Sequence, residues 1–250
     1  MHRLMPSLDK HDSSLPATTV KWRMPAVHPE GRQYVVIAAV VALAAYFLVG
    51  HVIGALLIVV AVCVASFFRD PVRTTPREDK LVVSPADGLI TMIARVPPPP
   101  ELRGGEGLAD GDYTRVSIFM SVFDVHINRA PISGRVKRIA YVAGKFLNAD
   151  LDKASEDNER QYFLFEGADG SMIGMTQIAG LVARRILAFV REGDDVEAGQ
   201  RIGLIRFGSR VDVYLPAGTS PKVLLGQRAI AGETVLAEIG LDTNLTGISQ

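Results

Sequence analysis

The chain has 250 residues, enough for one substantial domain with an appendage or for two small ones. Its 27 basic and 27 acidic side chains cancel to a formal net charge of zero, which leaves no basic excess for nucleic acid as the main partner. One cysteine, Cys63, excludes an intramolecular disulfide and a cysteine-rich metal site, and it lies in an apolar run where a buried thiol is the expected role.

Residues 1–33 are polar and carry four prolines, without a sustained apolar period. They read as a flexible cytoplasmic tail rather than a secretory signal. Tyr34 to Phe68 then holds no formally charged side chain, and Gly50-His51 is its sole interruption. As one helix it would run roughly 50 Å, against a hydrocarbon core of about 30 Å. Split at Gly50-His51, it becomes a helical hairpin that dips into or across a bilayer. A single tilted span and a buried core hairpin are the alternatives. Arginines flank both ends, Arg23 and Arg32 before and Arg69, Arg73 and Arg77 after. Positive charge at both ends suits two ends on the cytoplasmic face of the inner membrane.

Pro71 and Pro76 end the helical region. From Leu81 the pattern turns to short β-prone runs bounded by glycine and proline, ten of them up to Ile239. Pro97 to Glu106 reads as an exposed extended loop, and Ala149 to Arg160 as a second, polar loop long enough for a lid. Gly180 to Ile186 is a candidate short helix, and residues 241–250 a frayed tail. Two echoes help to place the fold. Ser84-Pro85-Ala86-Asp87-Gly88 resembles Ala130-Pro131-Ile132-Ser133-Gly134, each a Pro-x-x-Gly leading into a strand. Glu192 to Gln200 has the look of the hairpin in biotinyl and lipoyl carrier domains, with Gly226 to Val235 a fainter version. The expected fold is mainly β, a sandwich or barrel-sandwich of short strands over residues 69–240, preceded by the apolar hairpin at 34–68. Carrier function itself is disfavoured, because Asp194 and Asp195 occupy the hairpin tip and no lysine does.

Chemistry gathers at three places. Gly208-Ser209 lies between the β-prone runs Ile202–Phe207 and Val211–Leu215. The serine hydroxyl is within reach of the preceding glycine carbonyl, and glycine lets a group approach closely. Attack there converts the peptide into an ester, and β-elimination then breaks the chain, leaving dehydroalanine that hydrolyses to a pyruvoyl group. The plain alternative is a β-bulge. His126, the one histidine after residue 51, sits in a polar Asp-x-His-x-Asn-Arg segment directly after an apolar run, as loop-borne functional groups do. Asp87 lies in a strand-leading turn, where it is otherwise a turn-forming residue. A carboxylate orienting an imidazole that deprotonates a serine would make Asp87, His126 and Ser209 a coherent set. No Gly-x-Ser-x-Gly elbow, phosphate loop or dinucleotide fingerprint occurs, and no metal-ligand spacing.

Phe67-Phe68-Arg69-Asp70-Pro71, then Phe119-Met120-Ser121 through Pro131, then Arg206-Phe207-Gly208-Ser209-Arg210-Val211-Asp212 through Pro216, resemble in this order the short form of the phosphatidylserine decarboxylase proenzyme family. The resemblance runs from the apolar segment to about residue 240. It implies self-cleavage between Gly208 and Ser209 into a large and a small chain that stay associated, with a covalent pyruvoyl cofactor made from Ser209. It further implies that the pyruvoyl ketone forms a Schiff base with the amine of phosphatidylserine in the bilayer, so that CO2 leaves and phosphatidylethanolamine is released. Asp87 as orienting carboxylate is carried over from the family's Asp-Gly turn. Longer members carry His-x-x-His ahead of a proline, where this chain has His126 and Arg129, so the cleavage and protonation roles must be merged in one histidine or shared with water. Arg129 and Arg210 are candidates to hold the substrate's carboxylate or phosphate. Homo-oligomerisation is left open. Two rival readings remain: a non-enzymatic membrane-anchored β-sandwich adaptor related to carrier domains, and a pyruvoyl decarboxylase for a soluble amino acid, which gives the apolar hairpin no use.

Overall fold

The computed structural model describes residues 23–144, 158–180, 185–206, 209–243 and 245–248. Outside it lie most of the expected N-terminal tail, the expected polar loop up to residue 157, residues 181–184 of the expected short helix, and Phe207 and Gly208.

A two-residue strand β1 (Ala26–Val27) leads into α1 (Pro29–Leu48), and α2 (His51–Phe67) leads out into β2 (Arg69–Asp70). Proline opens α1, where its missing N–H costs nothing, and His28 Nδ1 accepts the Glu30 amide at 3.3 Å. The bend is made at Gly50, whose φ of 148° suits glycine and few other residues. The two helices run back tightly because Gly54 faces the Tyr46 backbone, where a Cβ would collide. β1 pairs antiparallel with β2, Val27 opposite Arg69, and His28 N donates to Phe68 O at 2.9 Å. Both ends of the hairpin therefore lie side by side. Its outer surface is apolar and uncovered, with Val36, Val40, Phe47, Leu56, Val59 and Val62 all more than half exposed.

Among the described residues after the hairpin, β-strands predominate, as expected. β3 (Leu81–Val83), β4 (Gly88–Val96) and β5 (Tyr113–Met120) come first, followed by β6 (Ile127–Arg129), β7 (Gly134–Val142), β8 (Arg160–Glu166) and β9 (Met172–Ala179). β10 (Ile186–Ala188), β11 (Asp195–Val196), β12 (Arg201–Ile205), β13 (Ser209–Leu215), β14 (Arg228–Ala229) and β15 (Val235–Glu238) complete the series. An antiparallel sheet in the order β11-β7-β8-β9-β13-β5-β4-β14 forms the body. Two smaller sheets, β10-β12-β6 and β15-β3, lie over its inner face. Between the layers, Ile90, Ile118, Phe163, Phe165, Val211 and Leu236 are among the side chains of one dry core.

The two Pro-x-x-Gly segments occupy matching places. Gly88 and Gly134 open β4 and β7, each one strand in from an edge, and a bulge follows two residues later in both. The carrier-like hairpins clip onto them identically: Gly193 N and Asp194 O bond the Val136 backbone, and Gly226 N and Gln227 O bond that of Ile90. The fold thus repeats one half-sheet about the β9–β13 seam, which puts β13 in the middle.

Pro97–Glu106 differs from the expected exposed loop. Pro98, Pro99 and Leu102 are buried. Leu102 and Leu108 pack on Tyr113, Tyr162 and Tyr214, covering the outer face of the sheet, which would otherwise expose aromatic rings.

Candidate active site

Strand alternation fixes where each residue of β13 points. Val211, Val213 and Leu215 face the core, so Ser209 at the head of the strand faces inward with them, fully buried. It lies between Met120 of β5 and Ala179 of β9. Its hydroxyl donates to Met120 Sδ at 3.2 Å, and a thioether accepts weakly, so among the described residues the oxygen has no strong competing partner.

Arg210 points the other way. On the outer face it makes a two-pronged bond to Asp212, Nε to Oδ1 at 2.9 Å and Nη2 to Oδ2 at 3.0 Å. The Arg-x-Asp of the sequence motif is thus an internal ion pair with both members buried, on the far side of the sheet from the Ser209 hydroxyl. Arg129 is buried too. Its guanidinium donates to Gly199 O at 2.7 Å and Pro71 O at 3.1 Å and lies 3.7 Å from Asp70, which also takes Arg201 Nε at 2.8 Å. Burial lowers the Arg129 pKa to about 10. In this arrangement Arg129 ties the hairpin's exit to the core sheets.

His126 immediately precedes β6 and has no exposed surface. Phe67, the last residue of α2, lies against the imidazole with ring centroids 4.3 Å apart. His126 Nδ1 is 3.0 Å from Asp124 O. A carbonyl can only accept, so Nδ1 carries the proton in the neutral ring and Nε2 is the basic nitrogen. Burial drives the imidazole pKa down to about 4, with Asp124 opposing and Arg69 adding to the shift, so the ring is neutral near pH 7.

The sequence assigned the orienting role to the Asp87 carboxylate. In the structure a backbone carbonyl, that of Asp124, holds Nδ1. Asp87 accepts from Arg73 Nη2 at 2.6 Å and from the Ala231 amide at 2.8 Å. Burial raises its pKa despite both bonds. Asp87 nonetheless shares the neighbourhood, since the fields of Asp124 and Arg69 act on it and on His126 alike.

Sequence reasoning missed several groups. Asn128 donates weakly to Met120 Sδ at 3.6 Å, the same sulfur that holds Ser209, and its Oδ1 accepts from Gln177 Nε2 at 2.7 Å. Gln177 is diagonal to Ser209 across the β9–β13 pair, and its Oε1 is buried with no partner among the described residues. The alternation of β9 carried a signal: Ile173, Met175 and Ala179 are core residues, so a glutamine at 177 is a polar group on an inward position. Asp124 Oδ2 accepts from the Ser121 amide at 2.8 Å and hydroxyl at 2.7 Å, and its Oδ1 takes the Arg228 guanidinium. Asp124 thereby fixes the turn before His126.

The arrangement is a buried hydroxyl at a strand head, a neutral imidazole of set tautomer, and two linked amides in a dry core. A buried hydroxyl and a buried neutral imidazole are the groups that acyl transfer to a serine requires. The family model described as phosphatidylserine decarboxylase matches residues 60–237. The chain is 63% identical over 237 residues to the phosphatidylserine decarboxylase proenzyme of Novosphingobium aromaticivorans, covering 93% of this chain and 94% of that one. It is 58% identical over 237 residues to the proenzyme of the same name from Zymomonas mobilis, covering 93% and 95%. With that of Ruegeria pomeroyi it shares 54% over 213 residues, 85% of this chain and 95% of the relative.

Proposed function

The chain belongs to the phosphatidylserine decarboxylase family and is a decarboxylase, and on that premise we propose that it cleaves itself at Gly208–Ser209 and converts phosphatidylserine to phosphatidylethanolamine and CO2. The observation that carries this reading is Ser209 itself, buried at the head of the central strand with its hydroxyl turned inward.

His126 Nε2 takes the hydroxyl proton, and Ser209 Oγ bonds to the Gly208 carbonyl carbon. The Gly208–Ser209 C–N bond breaks, freeing the amine of residue 209 and leaving an ester. Removal of the Ser209 α-proton then expels the Gly208 carboxylate and leaves dehydroalanine. Water replaces its nitrogen as ammonia. The residues present fit a pyruvoyl group at position 209: it is no larger than the serine it replaces, and apolar core side chains surround that position, while Gln177 Oε1, a buried acceptor beside β13, would suit the N–H of a substrate amine. Once present, the group would supply an electron sink for loss of the substrate's carboxylate. A neutral His126 is then poised to hold and return the proton that replaces CO2. Asp87, tied to Arg73, supports the charge balance of the site.

Cleavage need not release the small chain. β13 is hydrogen-bonded to β9 on one side and to β5 on the other, so the new N-terminus stays in the sheet. The hairpin supplies the membrane contact that a lipid substrate requires. α1, with 20 residues, is long and apolar enough to cross a bilayer, and α2 is shorter at 17. The paired ends of the hairpin, with arginines on either side, suit the cytoplasmic face.

The test is the intact mass of the purified protein beside a Ser209→Ala variant. Two fragments split after Gly208, the small one blocked by a ketone, with the variant uncut, are the expected result. Phosphatidylserine turnover should appear only in the cleaved sample. One full-length mass in both samples, persisting with lipid present, would sink the self-cleavage reading.

A further inference from the structure

The turn between β5 and β6 exposes two large apolar side chains. Val122 is 49% exposed and Phe123 79%. Single surface hydrophobics are ordinary, but this pair is adjacent, held rigidly, and set beside a much larger apolar surface. Asp124 bonds back to the Ser121 amide and hydroxyl, and its amide donates to Ser121 O at 2.9 Å, which closes the turn. Arg69, the first residue of β2, clamps it from below: Nη2 donates to Phe123 O at 2.6 Å while Nη1 donates to Ser66 O at 2.8 Å in the last turn of α2. The tip is therefore fixed to the base of the hairpin, whose outward side chains are aliphatic. Leu89, 36% exposed, extends the patch. It pairs in register with Arg228, whose side chain is 63% exposed while it holds Asp124. The local acid is buried and engaged, so guanidinium groups border the apolar tip.

We infer that the Val122–Phe123 turn is a second lipid contact, seated at the headgroup–acyl boundary of the surface that the hairpin enters, with Arg69 and Arg228 among the lipid phosphates. The inference rests on the membrane reading of the hairpin. A bilayer suits the tip better than a protein partner does, because the tip is continuous with helices that need an apolar solvent at that level. It also gives the turn a purpose. The Asp124 carbonyl that closes it is the one holding His126 Nδ1, so the lipid surface would be set at a fixed height relative to the imidazole.

The experiment uses the full chain with Cys63→Ala and a new single cysteine, Phe123→Cys, carrying an environment-sensitive fluorophore. Val122→Cys serves if that variant folds poorly. Asp169→Cys, in the exposed β8–β9 turn at the end of the sheet remote from Ser209, is the control. Vesicles of phosphatidylcholine, with and without phosphatidylglycerol, are added, and sedimentation is read on the same samples. Expected is a several-fold, blue-shifted rise in emission at 123, larger with phosphatidylglycerol, and none at 169. Protein that sediments while the probe at 123 stays as dim as that at 169 overturns the inference and leaves the hairpin as sole anchor. Protein that stays in the supernatant removes the membrane reading and the tip contact together. A rise at 123 that needs only more protein and no vesicles would assign the tip to a second copy and overturn the lipid contact.

Discussion

Burial of the neutral His126 should make the fold acid-sensitive by an amount that can be worked out. In the folded chain the imidazole titrates at about 4, against 6.5 ordinarily. As pH falls, the unfolded chain takes up the proton first. Between those two values it binds more protons than the folded chain, so stability declines with falling pH, and the loss is complete below the folded value. A shift of that size amounts to about 3 kcal/mol in all, of which roughly 2 kcal/mol is gone by about pH 5. The perturbation is His126→Asn, which keeps a donor for the Asp124 carbonyl and cannot titrate. Both proteins should carry Ser209→Ala so that each is a single chain. Urea unfolding in mild nonionic detergent, followed by far-ultraviolet circular dichroism near neutral pH and again at about pH 5, gives the difference of differences. Carboxylates titrate in both proteins and largely cancel. The protein that keeps His126 should lose roughly 2 kcal/mol more than the His126→Asn variant. Equal losses would refute a buried neutral imidazole, and with it the tautomer argument.

The amide pair offers a second check. Asn128→Ala removes the 2.7 Å acceptor of Gln177 and strands a buried amide, at an expected cost of about 1–3 kcal/mol; adding Gln177→Leu should recover part of it, and strict additivity in chemical denaturation would argue against the bond. Gly54→Ile places side-chain atoms on the Tyr46 backbone and should destabilise the helix pair by about 1–3 kcal/mol. Hydrogen exchange should then quicken in peptides from α1 and α2 and stay unchanged in β13.

Local patterning carried most of the fold. The runs that became β3 to β5, β7 to β10, β12, β13 and β15 alternate or are continuously apolar, and most are bounded by glycine or proline. The strands missed are those with no such signal. β1, β2, β11 and β14 are two residues each and exist only because a distant partner aligns them. Ile127–Arg129, expected within a loop, is a strand because β12 pairs with it. The apolar stretch was legible from its lack of charge, but α1 starts earlier, at Pro29, where a proline and the His28 cap outweigh the charges of Glu30 and Arg32. At the proposed site, Ser209 and His126 stand out in the sequence because their neighbours are distinctive. The carbonyl of Asp124, the Phe67 ring and Gln177 were not, since each acts through a contact that folding alone creates. The outward placement of Arg210 follows from a parity that the sequence contains: with Val211, Val213 and Leu215 inward, the residue after Ser209 must point out.

The helical hairpin and the proposed catalytic centre share an apolar cluster. Phe67 and Phe68 at the foot of α2 belong to one apolar cluster with Val125, Ile127 and Leu204, the residues on either side of His126 and its partner strand β12. Tyr34 of α1 stacks on Phe68 at 5.6 Å, and Arg206, just ahead of the proposed cleavage site, lies over Tyr34 and 3.5 Å from Glu30. A tether that merely kept the enzyme near its substrate would need none of these contacts, since a flexible linker raises local concentration equally well. Here the helix forms part of the wall that dries the imidazole. The low pKa of His126 depends on that dryness, and its neutral form depends on the pKa. Removing the hairpin would therefore change the chemistry of the site as well as its address.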